Sequence, residues 1–401
     1  MVCVALIAGT YAPDRCGVAD YTRRLREGLR QQGVRSLVLT TVKTTVKTDV
    51  ETDDPTVIKS VQDWNLQNLL HLVRAVHRTN ADILHIQHAA GTYSFDRAIF
   101  LLPLLLRLSG WRKPIVTTIH EYGWWEWEPK WIPKWFLERL KEWGQKRSWW
   151  DREDGFLLTL SDAIVTTNQE AEKVVRDRLP NALIYRIPIG ANVEVFPIDR
   201  TLARSQLRQT CNWSEAAQVV AFFGFLHPVK GLETLLSAFQ NVSSDAKLIL
   251  MGGVESLALR GDEAKQYWEK LEALISQLNL SDRVHMTGYI DAKTASNYLS
   301  GSDIGVLPFN HGVTLKSGSL LTLLAHGLPV IATRSSEDLT VVKSIPAKNI
   351  DALTIALNEW LTDFEKRDRG SKLGQEFAQQ FDWNAIAASH LKIYESVRTH
   401  A

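Results

Sequence analysis

A lysine stands where a helix should begin. In residues 222–239, FFGFLHPVKGLETLLSAF, an apolar strand gives way at Gly224 and Phe225 to a short loop, and Lys230-Gly231 leads into a helical period. The positive end of the helix dipole disfavours a cation there. The misfit resolves if an anion sits at this point and both groups face it; a solvated surface lysine is the plainer alternative. A second stretch, residues 307–333, reads LPFNHGVTLKSGSLLTLLAHGLPVIAT. Its strand ends in a loop of small and polar residues, with Thr314, Leu315, Lys316 and Ser317 just before a helix. Such a loop and helix start can present several amides to a phosphate. A third, GTYAPDRCGVADY, sets Gly17 immediately before a helix and Asp20 in its first turn. Gly17 serves either the turn or the close approach of an anion. A fourth, PIVTTIHEY, ends a strand on His120 and Glu121.

Other chemistries are excluded by the same strand ends. A dinucleotide fingerprint needs G-x-G-x-x-G after the first strand and an acid at the end of the second. Here the glycines are Gly9 and Gly17 and the second strand ends in LTTV; no P-loop occurs either. His85 and His88, in HIQH, invite a metal reading, but a spacing of three on a strand points them to opposite faces, as core histidines would be. The 401 residues carry 46 Lys and Arg against 45 Asp and Glu, so no global field points to nucleic acid. Three scattered cysteines give neither a disulfide framework nor a zinc pattern. The N-terminal run lacks a basic start, and nowhere do about eighteen apolar residues run together, so a cytoplasmic protein without membrane spans is expected.

These strand ends need sheets to hold them. CVALIA, RSLVLTTV, ADILHIQH, PIVTTIH, DAIVTTN and LIYRIP alternate with amphipathic helical patterns in the first half. VVAFFGFL, KLILMGG, VHMTGYI, IGVLPF and PVIAT repeat the rhythm in the second. Strands apolar on both faces with helical crossovers imply parallel sheets. The expected class is α/β: two Rossmann-like, doubly wound domains facing across a cleft, at 1–192 and 193–380, with a terminal helix over 381–401 that has no strand to serve and is free to dock elsewhere. Ligands are expected beyond the carboxyl ends of the strands.

The order of the pieces resembles the retaining glycosyltransferases of the GT-B fold, family 4. CGVADY, VTTIH, YRIPIGANV, FFGFLHPVKGLETLLSAF, RVHMTGYI, YLSGSDIGVLPF and LLAHGLPVIAT follow one another in the family's order over nearly the whole chain, and the terminal FDWNAIAASHLKIYESV resembles the family's closing helix, which implies that it packs back on the first domain. The resemblance implies a nucleotide-diphosphate sugar as donor and no metal or other cofactor. UDP-glucose is the first guess on frequency alone, and the size suits transfer to a glycan or lipid-linked acceptor in extracellular or envelope polysaccharide assembly. It implies that Lys230 neutralises the diphosphate, that His120 lies beside the transferred sugar, that Gly17 faces the diphosphate, and that the backbone at Tyr289 and Ile290 reads the base. Two departures stand out. Phe225 occupies the slot of an arginine, and Thr314 and Thr322 occupy those of two glutamates. Thr322 retains one hydroxyl for a ribose, and Lys316 is a candidate replacement for the lost charge. A sugar-nucleotide epimerase on the same architecture and a degenerate, non-catalytic binder are the rival readings.

Eight of the fourteen tryptophans fall between residues 124 and 150. Trp124, Trp125 and Trp127, with Asp20 and Glu121, are the candidate acceptor contacts. Indoles stack on sugar rings and also belong at membrane interfaces. With Lys130, Lys134, Arg139, Lys141, Lys146 and Arg147 among them, the segment reads as a glycan platform, as a peripheral contact with an anionic membrane, or as plain core packing.

Overall fold

The structure is a computed structural model that describes residues 2–14, 16–42, 54–243, 245–256, 258–335 and 339–399. It divides into two compact units, residues 1–189 with 383–401, and residues 190–382.

The first unit runs β1 (Cys3–Ala8), α1 (Gly17–Gln31), β2 (Arg35–Thr41), β3 (Val57–Val61), α2 (Leu66–Arg78), β4 (Ile83–His88), α3 (Leu102–Leu108), β5 (Ile115–Ile119), α4 (Lys134–Lys146), β6 (Ala163–Thr166), α5 (Gln169–Arg178) and β7 (Ile184–Arg186). Its strands form one parallel sheet in the order β3-β2-β1-β4-β5-β6-β7. All six residues of β1 are buried, as they must be in a central strand covered on both faces.

The second unit runs α6 (Arg200–Thr210), β8 (Gln218–Phe223), α7 (Leu232–Phe239), β9 (Ala246–Met251), α8 (Gly261–Gln277), β10 (Val284–Gly288), α9 (Ala292–Ser300), β11 (Ile304–Leu307), α10 (Gly318–Ala325), β12 (Val330–Thr333), β13 (Val342–Ile345), α11 (Ile350–Thr362) and α12 (Phe364–Ala378). Its parallel sheet has the order β10-β9-β8-β11-β12-β13. The strand order reverses between β1 and β4 in one unit and between β8 and β11 in the other. Those are the points where a doubly wound sheet opens a ligand crevice.

The terminal helix, α13 (Trp383–Thr399), lies in the first unit against α1. Gly28 makes the approach close: a Cβ there would stand 2.8 Å from the Ala387 Cβ and 3.0 Å from the Trp383 carbonyl. Ile386, Ile393, Tyr394 and Val397 are buried on that face, each large apolar chain contributing about 1.5–3 kcal/mol. The strands β3 and β13, absent from the sequence reading, are edge strands that bury only Val61 and Ile345.

Candidate functional site

In the second unit the two predicted loops meet at the switch point. After β8 the chain passes Gly224, whose φ is 136° and where a Cβ would stand 2.6 Å from Ser319 Oγ. The end of β8 therefore lies against the first turn of α10. A 3₁₀ turn at Pro228–Lys230 follows, and Gly231, at φ 69°, starts α7. A side chain at Gly231 would drive its Cβ to 2.0 Å from the Pro308 carbonyl. Asn310 pins the two loops together: its amide donates to the Val229 carbonyl at 2.9 Å and its side-chain nitrogen to the Pro228 carbonyl at 2.9 Å.

Lys230 is held over Phe309, its Nζ 3.7 Å from the ring centroid. No ion pair of Lys230 occurs among the described residues. Burial pushes the ammonium from 10.5 down to about 8. A burial effect without an opposing carboxylate marks a cation whose counter-charge the protein does not supply. The neighbouring α10 offers donors. Ser317 Oγ accepts from the Leu320 amide at 3.2 Å and the Ser317 carbonyl takes the Leu321 amide at 3.2 Å. The amides of Gly318 and Ser319 have no acceptor among the described residues.

The remaining donor-side candidates are placed as follows. Phe225 is partly exposed, with the Tyr289 ring edge-on at 6.3 Å. Tyr289 is on the surface and its hydroxyl donates to the Glu255 carbonyl; Ile290 is partly buried against the core. Thr314 accepts the Lys316 amide at Oγ1 (3.3 Å) and the Ser317 amide at its carbonyl (3.0 Å), so it shapes the loop. Leu315 packs against the core, and Lys316 is exposed. Thr322 corrects the expectation of a ribose contact. It is fully buried; its hydroxyl donates to the Gly318 carbonyl at 2.7 Å and accepts the Asn192 and Val193 amides at 2.9 and 3.3 Å. One donor and two lone pairs are all a hydroxyl has. Thr322 fastens the segment entering this unit to α10.

In the first unit, Gly17 opens α1 behind a thiol cap, in which Cys16 Sγ accepts from the Ala19 amide at 3.3 Å. A Cβ at Gly17 would meet nothing within 4 Å and its φ is not positive, so neither turn nor packing requires glycine there. Asp20 is half-buried in that first turn. His120, just past β5, is partly buried; its backbone amide donates to the His88 carbonyl at 3.0 Å. Its Nε2 lies 3.1 Å from Gln87 Oε1, and Tyr21 meets the imidazole edge-on at 4.8 Å. Burial first, then His88 and His390, push its pKa down to about 3. Glu121 is exposed. His85 and His88 are buried on opposite faces of β4, His85 toward α13 and His88 against Tyr93 and Phe100.

The tryptophan segment divides into an anchored side and an outer side. Trp125 carries the Arg97 guanidinium 4.0 Å from its ring centroid, so one indole face expected to meet an acceptor is already covered. Behind it lies an ionic cluster the sequence reading missed. Arg178 meets Glu153 at 3.0 Å and Glu126 at 3.3 Å, and Lys141, 3% exposed, bridges Glu126 and Glu138. Arg152 also reaches Glu126 and Glu138, at 2.7 and 2.9 Å. Glu126, Glu128 and Glu138 converge as a metal set would, but these two side-chain cations already sit between the first and the third. Scattered charges along a loop gave no periodic signal for such a cluster. Plain core packing fails for most of the indoles: Trp124, Trp127, Trp131, Trp135, Trp143 and Trp149 are exposed, Trp131 by 79%.

Residues 16–195 match Glycosyltransferase Family 4, and residues 217–363 match Glycosyl transferases group 1. The chain is 26% identical over 257 residues to the D-inositol 3-phosphate glycosyltransferase of Xylanimonas cellulosilytica, covering 59% of this chain and 58% of that one. It is 28% identical over 224 residues to the phosphatidyl-myo-inositol mannosyltransferase of Mycobacterium leprae, covering 53% and 54%. The chain thus spans little more than half the length of these curated relatives. Sucrose-phosphate synthase from Thermosynechococcus elongatus superposes with a TM-score of 0.73 at 21% identity, over 100% of both chains.

Proposed function

We propose that this chain, a GT-B fold carrying a family 4 glycosyltransferase domain followed by a group 1 domain, is an enzyme that moves a sugar from a nucleotide diphosphate to a glycan or lipid-linked acceptor with retention at the anomeric carbon. The observation that carries this reading is Lys230, a desolvated cation with no ion pair among the described residues, in the loop that leaves β8 at the switch point, where the end of β8 meets the first turn of α10.

The chemistry follows from the leaving group. The bond from the anomeric carbon to the β-phosphate oxygen breaks, and its electron pair stays on the diphosphate. The Lys230 ammonium and the α10 amides meet that charge in place, which is how a preorganised oxyanion site lowers a barrier. The acceptor hydroxyl attacks the face the diphosphate leaves and gives its proton to a phosphate oxygen. This assigns the charge stabilisation to protein donors, so chelators are expected to leave turnover unchanged. UDP-glucose or another UDP-hexose is the donor to test first.

Titration with UDP-hexoses, with and without candidate acceptors, tests the reading through released UDP. Release that needs an acceptor supports transfer. Conversion of the sugar nucleotide without acceptor supports an epimerase, and nucleotide binding without turnover supports a degenerate binder.

A peripheral membrane contact on the acceptor side rests on α4. Its inner face buries Leu137, Lys141 and Gly144, while Trp135, Phe136, Arg139, Trp143, Lys146 and Arg147 stand outward around the same helix and its end. Aromatic residues mixed with cations on an exposed helix suit an anionic bilayer better than a neutral sugar ring. No described helix is long and apolar enough to cross a membrane. The proposed place of action is the cytoplasmic face of the cell membrane, where a lipid-linked acceptor presents its headgroup. Co-sedimentation with vesicles of graded anionic lipid content tests it; binding indifferent to charge and salt overturns it.

A further inference from the structure

Tyr394, His85, Gln87 and His120, from α13, β4 and the end of β5, form one hydrogen-bonded line inside the first unit. His85, fully buried, has its Nδ1 2.6 Å from the Tyr394 hydroxyl of α13. Its Nε2 lies 2.7 Å from Thr118 Oγ1 and 3.1 Å from Gln87 Nε2. Gln87, also fully buried, turns its Oε1 to His120 Nε2 at 3.1 Å. Tyr21 braces the same imidazole from α1, and its hydroxyl lies 2.8 Å from His390 Nε2 of α13.

The directions of these bonds follow from the donors available. An amide nitrogen only donates and an amide oxygen only accepts. With the Gln87 amide oriented so that Oε1 faces His120, its Nε2 donates to His85 Nε2, which is then an unprotonated lone pair shared with the Thr118 hydroxyl. A neutral imidazole then carries its proton on Nδ1, and that N–H donates to the Tyr394 hydroxyl. At the other end, Gln87 Oε1 accepts, so His120 carries its proton on Nε2. The remaining nitrogen, His120 Nδ1, is a lone pair with no partner among the described residues, on the one imidazole of the line that is not fully buried.

We propose that Gln87, braced by His85 and by Tyr394 of the C-terminal helix, is a positioning residue that fixes the His120 tautomer, so that Nδ1 accepts a hydrogen bond from a hydroxyl of the donor sugar. This rests on the reading of His120 as a neighbour of the transferred sugar. It gives α13 a task beyond covering the sheet: the last helix of the chain orients a side chain at the end of β5. It also gives His120 a definite chemistry. The imidazole receives a proton in a hydrogen bond and does not deliver one, so a donor whose contacting hydroxyl is replaced by hydrogen or fluorine loses the contact.

The test joins nitrogen NMR to kinetics on the full chain. In ¹⁵N-histidine protein, His120 Nδ1 is expected at a pyridine-type shift and Nε2 at a pyrrole-type shift. Gln87→Met, close in size and without a hydrogen-bonding group, is expected to mix the tautomers and to lower kcat/KM for the UDP-hexose about tenfold, the order of one oriented hydrogen bond. Tyr394→Phe, which keeps the ring and removes the distal hydroxyl, is expected to shift the His85 resonances and to reduce kcat/KM less. A protonated Nδ1 on His120 in the native protein overturns the proposal. So does an unchanged tautomer in Gln87→Met, or a mixed tautomer with unchanged kcat/KM. The spectra decide the tautomer whether or not any nucleotide sugar turns over, so failure of the functional reading and failure of the positioning are told apart.

Discussion

The Lys230 ammonium sits 3.7 Å from the centroid of the Phe309 ring. The contact supplies some attraction, since a ring face draws a cation, but no counter-charge. Burial nevertheless holds the group down to about 8, so the pocket weakens the charged form while leaving it the main one at neutral pH. A diphosphate would raise the value again, because a nearby opposite charge favours the charged form.

The first consequence is a pH limb. Above about 8 the free protein loses the Lys230 proton, and with it the charge that meets the donor. We expect kcat/KM for the nucleotide sugar to fall tenfold per pH unit beyond that point, while kcat at saturating donor bends at higher pH, because the bound diphosphate raises the pKa. A flat kcat/KM between pH 7 and 10 contradicts it.

A second consequence lies at acid pH. His85, His88 and His390 are buried, and burial pushes His88 to about 4 and His390 to about 3, with His85 also well below 6.5. The unfolded chain takes up these protons near 6.5 and the folded chain does not, so stability is full above that pH and lost as pH falls toward the folded values. Each group costs about 1.4 kcal/mol by one pH unit below 6.5, or about 4 kcal/mol for the three near pH 5.5. Denaturant midpoints from pH 7.5 to 5 measure this; a decline that begins only near pH 4 would point to carboxylates instead.

Thr322 separates a structural from a donor role. Thr322→Val leaves the Asn192 and Val193 amides without their acceptor and should destabilise the protein by about 1–3 kcal/mol. UDP affinity, measured well below the melting temperature, should be unchanged. A ribose contact would show the opposite pattern, with affinity lost and stability kept.

The outer face of α4 makes a quantitative prediction as well. Each cation at an anionic surface adds about 1 kcal/mol, so R139Q together with K146Q should weaken binding to anionic vesicles roughly thirtyfold. Both side chains are exposed and neither enters a salt bridge among the described residues, so the melting temperature should not move. Equal vesicle binding by the variant and the native chain removes the bilayer as the occupant of this face.

Much of this was legible in the residues, for physical reasons. Central strands such as CVALIA announce themselves because burial on both faces demands unbroken apolar runs, and Lys230 announces itself by its wrong sign at a helix start. The edge strands VIKSV and VKSI do not, because one buried residue leaves no pattern. Thr322 was misread because a hydroxyl's partners, here two amides 129 and 130 residues away, have no local signature. The line from Tyr394 to His120 was invisible for the same reason, its longest step joining residues 309 apart.

The most direct test of the central claim is the affinity of UDP and of uridine for the native chain and for Lys230→Met. Methionine fits the apolar setting over Phe309 and removes a desolvated charge, so the variant should fold at least as well. We predict that UDP binding weakens by about 10- to 100-fold, the worth of a charged hydrogen bond, while uridine binding is unchanged. Equal UDP affinity in the two proteins would contradict the assignment of Lys230 to the diphosphate.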